Sequence, residues 1–238
     1  MVYDKHQSWY RQKELRTKYR DTEVPSISEI DTILTNINYG KVDPITHTLR
    51  ARALIAIYYL TAGRLTEVTK RKYAYKSDNI KDDKGRIIER RIPIRIEPEF
   101  KGITKQDISY DTIDELPVMY LRLENRKHRL RKTKRQPIPI SLEQPIIKHI
   151  EAYTNTLKVS SLPLFRFTNK RATQIINDTT GFNCHFWRHI RATHLITLYD
   201  FNEQALIEYM GWTDARPAKH YMELSKKDLF RSFYKNKK

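Results

Sequence analysis

The chain has 238 residues, 39% of them hydrophobic, and its 45 Lys+Arg against 28 Asp+Glu give a formal net charge of +17. That composition supports a packed core and excludes a disordered chain, and no apolar run approaches the roughly 18–20 residues of a membrane span. The single cysteine, Cys184, excludes an internal disulfide and a cysteine-rich zinc site. Together with a polar N-terminus unlike a signal peptide, it points to a reducing, cytoplasmic compartment.

A charge of +17 attracts polyanions at long range, so nucleic acid is the expected partner and no membrane is. Basicity alone does not separate an RNA-coating protein from a DNA enzyme. In chain order, residues 1–24 mix charges with Trp9, Tyr10 and Tyr19 and read as a basic helical arm without its own core. "VPSISEIDTILTNI" opens a helix, with Ser26 and Glu29 as a capping box and Ile27, Ile30, Leu34 and Ile37 on one face. "NYGKVDP" breaks it, and Pro44 can start the next helix. "RARALIAIYYLTAG" is apolar nearly all round and reads as a buried helix ended by Gly63, with "RLTEVTKRKY" resuming as a short amphipathic helix.

From about residue 73 to 140 the period changes. "IKDDKGRIIERRIPIRIEP" alternates after an Asp-Lys-Gly turn and reads as a strand or hairpin, and "LPVMYLRLEN" and "RQPIPIS" are two further strands flanking the basic "RKHRLRKTK". These three pieces predict a small antiparallel sheet inserted in a helical domain. Helical periodicity returns in "LEQPIIKHIEAYTNTL", in "NKRATQIINDTTG", and from His185 onward.

Three stretches carry the chemistry. In "CHFWRHIRATHLI", His185 and Arg188 are three apart and project from one face near a helix N-terminus, where an anion is favoured. Capping and salt bridging is the bland reading of the same pair. In "TAGRLTEV", Arg64 sits at a Gly-marked break between helices, with Glu67 one turn on to orient it. In "EYMGWTDARPAKHYMEL", Gly211 and Trp212 end a helix and Tyr221 follows on the next short element.

Together these stretches resemble the catalytic domain of the tyrosine recombinase (phage-type integrase) family. That family carries an Arg in a "TGLR-I-S-E" context, a Lys on a β-hairpin, a His-x-x-Arg box, a Gly-His or Gly-Trp pair and a Tyr nucleophile. Here "TAGRLTE" supplies Arg64, "HFWRHIRATHL" supplies His185 and Arg188 with Trp187 where Leu is usual, and "MGWTDARPAKHY" supplies Trp212 and Tyr221. The lysine would precede the Pro-ended strand of "KTKRQPIPI", which favours Lys132, with Lys134 and Lys127 as alternatives.

The resemblance implies a mainly α fold with a small antiparallel β-sheet, residues 25–238 forming the catalytic domain behind the arm of 1–24, without a full N-terminal core-binding domain. It implies a site-specific recombinase or integrase, of a mobile element or virus, working through a covalent 3′-phosphotyrosine. Double-stranded DNA is its partner, a dimer to tetramer its state on DNA, and no metal or cofactor is required. A type IB topoisomerase-like enzyme and a non-catalytic DNA-binding protein are the competing readings. His189 and His194 read as structural histidines, and Cys184 and His220 receive no task. Tyr221 is singled out over Tyr209 and Tyr234 by its place after Gly211-Trp212. In the tail, Leu229, Phe230 and Phe233 would anchor a last helix on a neighbouring protomer or on their own domain.

Overall fold

The computed structural model describes residues 24–69, 71–81, 87–100, 102–125, 132–213 and 215–222, and the side chains of 71–81, 87–100, 125, 132–135 and 220 lie outside that description. All but the last residue of the expected arm over 1–24, the Asp-Lys-Gly turn, Lys127, Tyr234 and the tail anchors lie outside the described residues.

Helix α1 (Ile27–Asn36) starts at the expected capping box. The Glu29 N–H donates to Ser26 Oγ at 3.3 Å, and the Ser26 N–H donates to Glu29 Oε2 at 2.7 Å. Ile30, Leu34 and Ile37 are buried. Helix α2 (Pro44–Thr61) is capped by Asp43, which accepts from the Thr46 N–H at 3.1 Å, with Pro44 in its first turn. Every residue from Ala53 to Thr61 is buried, because α1, α4 (Ile140–Thr154), α5 (Asn169–Thr180) and α6 (Cys184–Thr197) all pack on α2.

The end of α2 corrects the expectation. Ala62, not Gly63, takes the left-handed conformation, at φ 44° and ψ 28°. Gly63 is needed for space instead: a Cβ there would lie 2.9 Å from Thr61 Oγ1 and 3.1 Å from Leu123 Cδ1. The following helix is also shorter than its periodicity suggests. α3 (Leu65–Val68) is one turn, since the Val68 carbonyl accepts from the Ile103 N–H at 3.1 Å instead of continuing the helix.

Among the described residues the strands form two sheets. β1 (Arg71–Lys81) pairs with β2 (Ile87–Phe100) as an antiparallel two-stranded ribbon, while β3 (Ile108–Ile113), β4 (Leu116–Asn125) and β5 (Lys132–Pro139) form an antiparallel sheet in that order. The three expected pieces therefore do not share one sheet: β2 pairs with β1, and β3 completes the other. Asp114 and Glu115, at φ 49° and 65°, make the two-residue turn between β3 and β4. β5 is an edge strand, which is why it tolerates Pro137 and Pro139. Met119, Leu121 and Leu123 of β4 turn their alternate face into the core.

After α6, α7 (Glu203–Met210) ends at left-handed Gly211 (φ 63°), and α8 (Arg216–Met222) carries Tyr221. A second, smaller apolar cluster of Ala62, Ala192, Leu195, Leu206, Tyr209, Met210 and Ala218 fastens α7 and α8 to α6, with Trp212 and Tyr221 packed on its edge. Among the described residues no helix is long and apolar enough to cross a membrane.

Candidate functional site

Arg64 is the N-cap of α3, where Glu67 holds it twice: its backbone N–H donates to Glu67 Oε2 at 2.9 Å and its Nη1 to Oε1 at 3.0 Å. Glu67 is buried, while the Arg64 side chain keeps 30% of its surface. One carboxylate thus fixes both the turn and the guanidinium, leaving the other guanidinium face for an anion. This is the orienting ion pair anticipated for Glu67.

Asn183 caps α6, accepting from the Phe186 N–H at 2.9 Å, and so sets the first turn that carries His185 and Arg188. Arg188 is buried and points across to two other elements. Its Nη1 donates to the Ala62 carbonyl, and its Nη2 donates to the Met210 carbonyl at 2.7 Å. Its guanidinium carbon lies 5.9 Å from the Trp212 ring centre. Trp212 stacks on Tyr221 at 5.6 Å and 19°, and Tyr221 meets His189 at 5.4 Å. Arg64, His185, Arg188, Trp212 and Tyr221 therefore lie around one locus, although they come from four elements.

The electrostatics record the same convergence. Burial depresses the Arg188 pKa, and the charge of Arg64 depresses it further against the pull of Glu67 and Tyr221. Desolvation lowers the His185 pKa, and then the charges of Arg188 and Arg64 do so, although His185 keeps an exposed face. Its imidazole is therefore neutral at neutral pH.

Lys132 is the first residue of β5, paired across the sheet with Asn125, rather than lying ahead of the strand. Its side chain and that of Lys134 lie outside the described residues. The expected bystanders have visible partners. His194 Nδ1 is 2.7 Å from the Tyr59 hydroxyl, Trp187 is fully buried, and burial raises the pKa of the Cys184 thiol. Tyr209 is buried with its hydroxyl donating to the Leu60 carbonyl. Among the described residues no group of three or more His, Cys, Asp or Glu side chains converges as a metal site would need.

Arg191 is the feature the motif reading missed. It is 1% exposed and pairs with fully buried Glu143 of α4. Its Nη2 donates to the Tyr209 hydroxyl at 3.0 Å, and the rings of Tyr59, Tyr199 and Tyr209 surround the guanidinium with centres 5.1, 5.5 and 5.4 Å away. The available signal was its position: Arg188, Arg191 and Leu195 share one inward stripe of α6.

No known protein-family profile matches the chain, and no curated protein sequence does. Solved structures do. A crystal structure of the XerH site-specific recombinase bound to palindromic difH substrate, a post-cleavage complex, matches with a TM-score of 0.50 and 14% identity over 89% of this chain and 52% of that one. The pre-cleavage complex of XerH with difH gives a TM-score of 0.47 and 12% identity over 89% of this chain and 51% of that one. The chain spans about half the length of these proteins. At this identity the first match establishes the fold alone, mainly helical with a small three-stranded antiparallel sheet, similar to that of the XerH recombinase.

Proposed function

We propose that this chain cleaves and rejoins DNA strands as a site-specific tyrosine recombinase, with Tyr221 as nucleophile. The observation that carries the reading is geometric: the buried Arg188 guanidinium lies 5.9 Å from the Trp212 ring on which Tyr221 stacks, with Arg64 near enough that its charge adds to burial in depressing the Arg188 pKa. Glu67 supplies one negative charge to these two cations, which leaves them able to share a second anion, and a scissile phosphate is such an anion.

In the proposed reaction the Tyr221 phenolic oxygen bonds to phosphorus and the bond from phosphorus to the 5′-oxygen breaks. The phenol proton passes to neutral His185. The departing 5′-oxygen takes a proton from Lys132, with Lys134 and Lys127 as alternative donors. Arg64 and Arg188 neutralise the charge that builds on the nonbridging oxygens, as metal ions do in many phosphoryl-transfer enzymes. Trp212 contributes packing and one indole N–H. Attack by a 5′-hydroxyl on the phosphotyrosine reverses the steps, so rejoining needs no nucleotide cofactor. Double-stranded DNA is the proposed substrate, in keeping with the net charge of +17, and a dimer to tetramer of the chain would bring two duplexes together. Residues 25–238 would form the catalytic unit and residues 1–24 a basic arm.

The test is a pool of nicked duplexes with a randomised central window, incubated with the protein and denatured. The expected result is a protein–DNA adduct whose DNA-bearing peptide contains Tyr221 and which Tyr221→Phe abolishes. Absence of any adduct, or attachment at another residue, overturns the reading. Junctions between two captured duplexes identify a recombinase; relaxation of supercoiled plasmid without junctions identifies a topoisomerase.

A further inference from the structure

The end of α7 leaves four carbonyls without helical donors, as every helix end does. The Trp212 N–H bonds the Ile207 carbonyl at 3.0 Å and the Gly211 N–H bonds that of Glu208 at 3.1 Å. The remaining two are met from far away in the chain: Met210 by Arg188 Nη2, and Tyr209 by Gln136 Nε2 at 2.7 Å. Only the amide nitrogen of Gln136 can donate to a carbonyl, so its orientation is fixed by its partner. Gln136 is 2% exposed, sits on β5 opposite Leu121, and lies four residues beyond Lys132 and two beyond Lys134. Its Oε1 is buried and has no hydrogen-bond partner among the described residues. An edge strand gains little stability from a glutamine that leaves one polar atom unpaired in the core, where an apolar residue would avoid that cost. The donated bond has to be useful for some other reason.

What it joins suggests the reason. β5 carries two of the three candidate lysines. The carbonyl it grips belongs to the turn that leads, within three residues, to Trp212, the ring on which Tyr221 stacks. Arg188 grips the next carbonyl of the same turn. We infer that Gln136 is a positioning residue for the proposed strand cleavage, locking the lysine-bearing strand to the α7 turn so that general acid and nucleophile keep register across one phosphate. This rests on the reading given under Proposed function. Gln136 touches no reacting atom and acts through β5.

The experiment uses the duplex captured by the wild-type chain, made in two forms: with the ordinary 5′-oxygen at the cleaved bond, and with sulfur in its place. A thiolate leaves without a proton, so the sulfur form does not need the general acid. Gln136→Met keeps length and removes the donor; Gln136→Glu, which keeps shape, carries the same comparison should the first not fold. The expected result is adduct formation slowed by about 10-fold on the oxygen duplex and less than about twofold on the sulfur duplex, the mark of a displaced acid. A merely structural role slows both duplexes equally, and no role slows neither; either pattern, or any other, overturns the inference and leaves the tyrosine reading intact. A wild-type chain that forms no adduct overturns both.

Discussion

Arg188 and Ala62 stand 126 positions apart and are joined by a guanidinium N–H donated to a backbone carbonyl. Ala62 is in the left-handed region, which costs a residue with a Cβ on the order of 1–2 kcal/mol. The turn it makes swings the chain out of α2 and delivers Arg64 to the site. One guanidinium thus holds the backbone that presents the other, and its second contact, to Met210, holds the turn before Trp212.

Arg188→Lys tests that double duty. A lysine carries the charge but has no fork, so it reaches at most one of the two carbonyls and leaves the other buried without a donor. The expected loss is about 1–3 kcal/mol in urea unfolding. Adduct formation should fall on the order of 10²–10³-fold, because a preorganised hydrogen-bond donor at the phosphate is also lost while the charge is kept. A variant that unfolds and cleaves like the wild type would show that the contacts to Ala62 and Met210 are incidental.

Gly63→Ala addresses the same turn by sterics. The added Cβ meets Thr61 Oγ1 at 2.9 Å, and that hydroxyl cannot easily withdraw because it donates to the Ile57 carbonyl at 2.6 Å and accepts from the Gly63 N–H at 3.0 Å. The expected outcome is a loss of about 1–3 kcal/mol in thermal or urea unfolding, with slower adduct formation as Arg64 shifts. Unchanged stability would mean that the loop yields without strain.

These two positions also mark where sequence reading succeeds and fails. The starts of α1 and α2 were legible because Ser26 and Glu29 act on each other three residues apart and Pro44 is preset for a first helical position. The stop at Gly211 was legible for the same reason. Strands β4 and β5 showed in alternation and proline placement. β3 did not, and β1 showed only at its end, as the hairpin alternative before the Asp-Lys-Gly turn, because "RKYAYKSDNIK" and "ISYDTI" have no clean apolar face. The helix end was read at Gly63, whereas the left-handed residue is Ala62, whose carbonyl is held by Arg188 from far along the chain. In the site, motif order brought out Arg64, His185, Arg188, Trp212 and Tyr221. Arg191 was passed over because a charged residue reads as solvent-facing until its partner, 48 positions away, is known.

That partner makes Arg191 and Glu143 a test of burial. Their side chains are 2% and 0% exposed, Tyr199 donates to Glu143 Oε1 at 2.8 Å, and Glu143 Oε2 and Arg191 Nε have no hydrogen-bond partner among the described residues. Removing one charge strands the other, so Arg191→Met or Glu143→Leu alone should cost about 3–5 kcal/mol. The double variant should cost far less than the sum, since neither buried charge then remains. Additive losses in urea unfolding would show that the two side chains act independently.

His194 sets the acid response of the same core. Burial, and then the charge of Arg191, push its pKa down to about 4, against the opposing pull of a hydrogen bond to the Pro25 backbone. With Nδ1 facing the Tyr59 hydroxyl at 2.7 Å, the other ring nitrogen is left to donate to the Pro25 carbonyl, so the neutral ring is fully used. Unfolded, the same histidine titrates near about 6.5. Between those values the unfolded chain binds a proton that the folded chain refuses. The stability tied to His194 is therefore complete above that window and falls with pH through it, by up to about 3 kcal/mol. His149 and His185, also lowered, act in the same direction. Urea unfolding at about pH 7.5 and about pH 5 should show the loss, and His194→Asn should flatten the slope whatever it does to stability itself. Arg191→Met, by removing the second cause of the shift, should flatten it in part. A wild-type chain equally stable at both pH values would mean that the folded core accepts the proton at no cost, and that the contacts of His194 do not depend on a neutral ring.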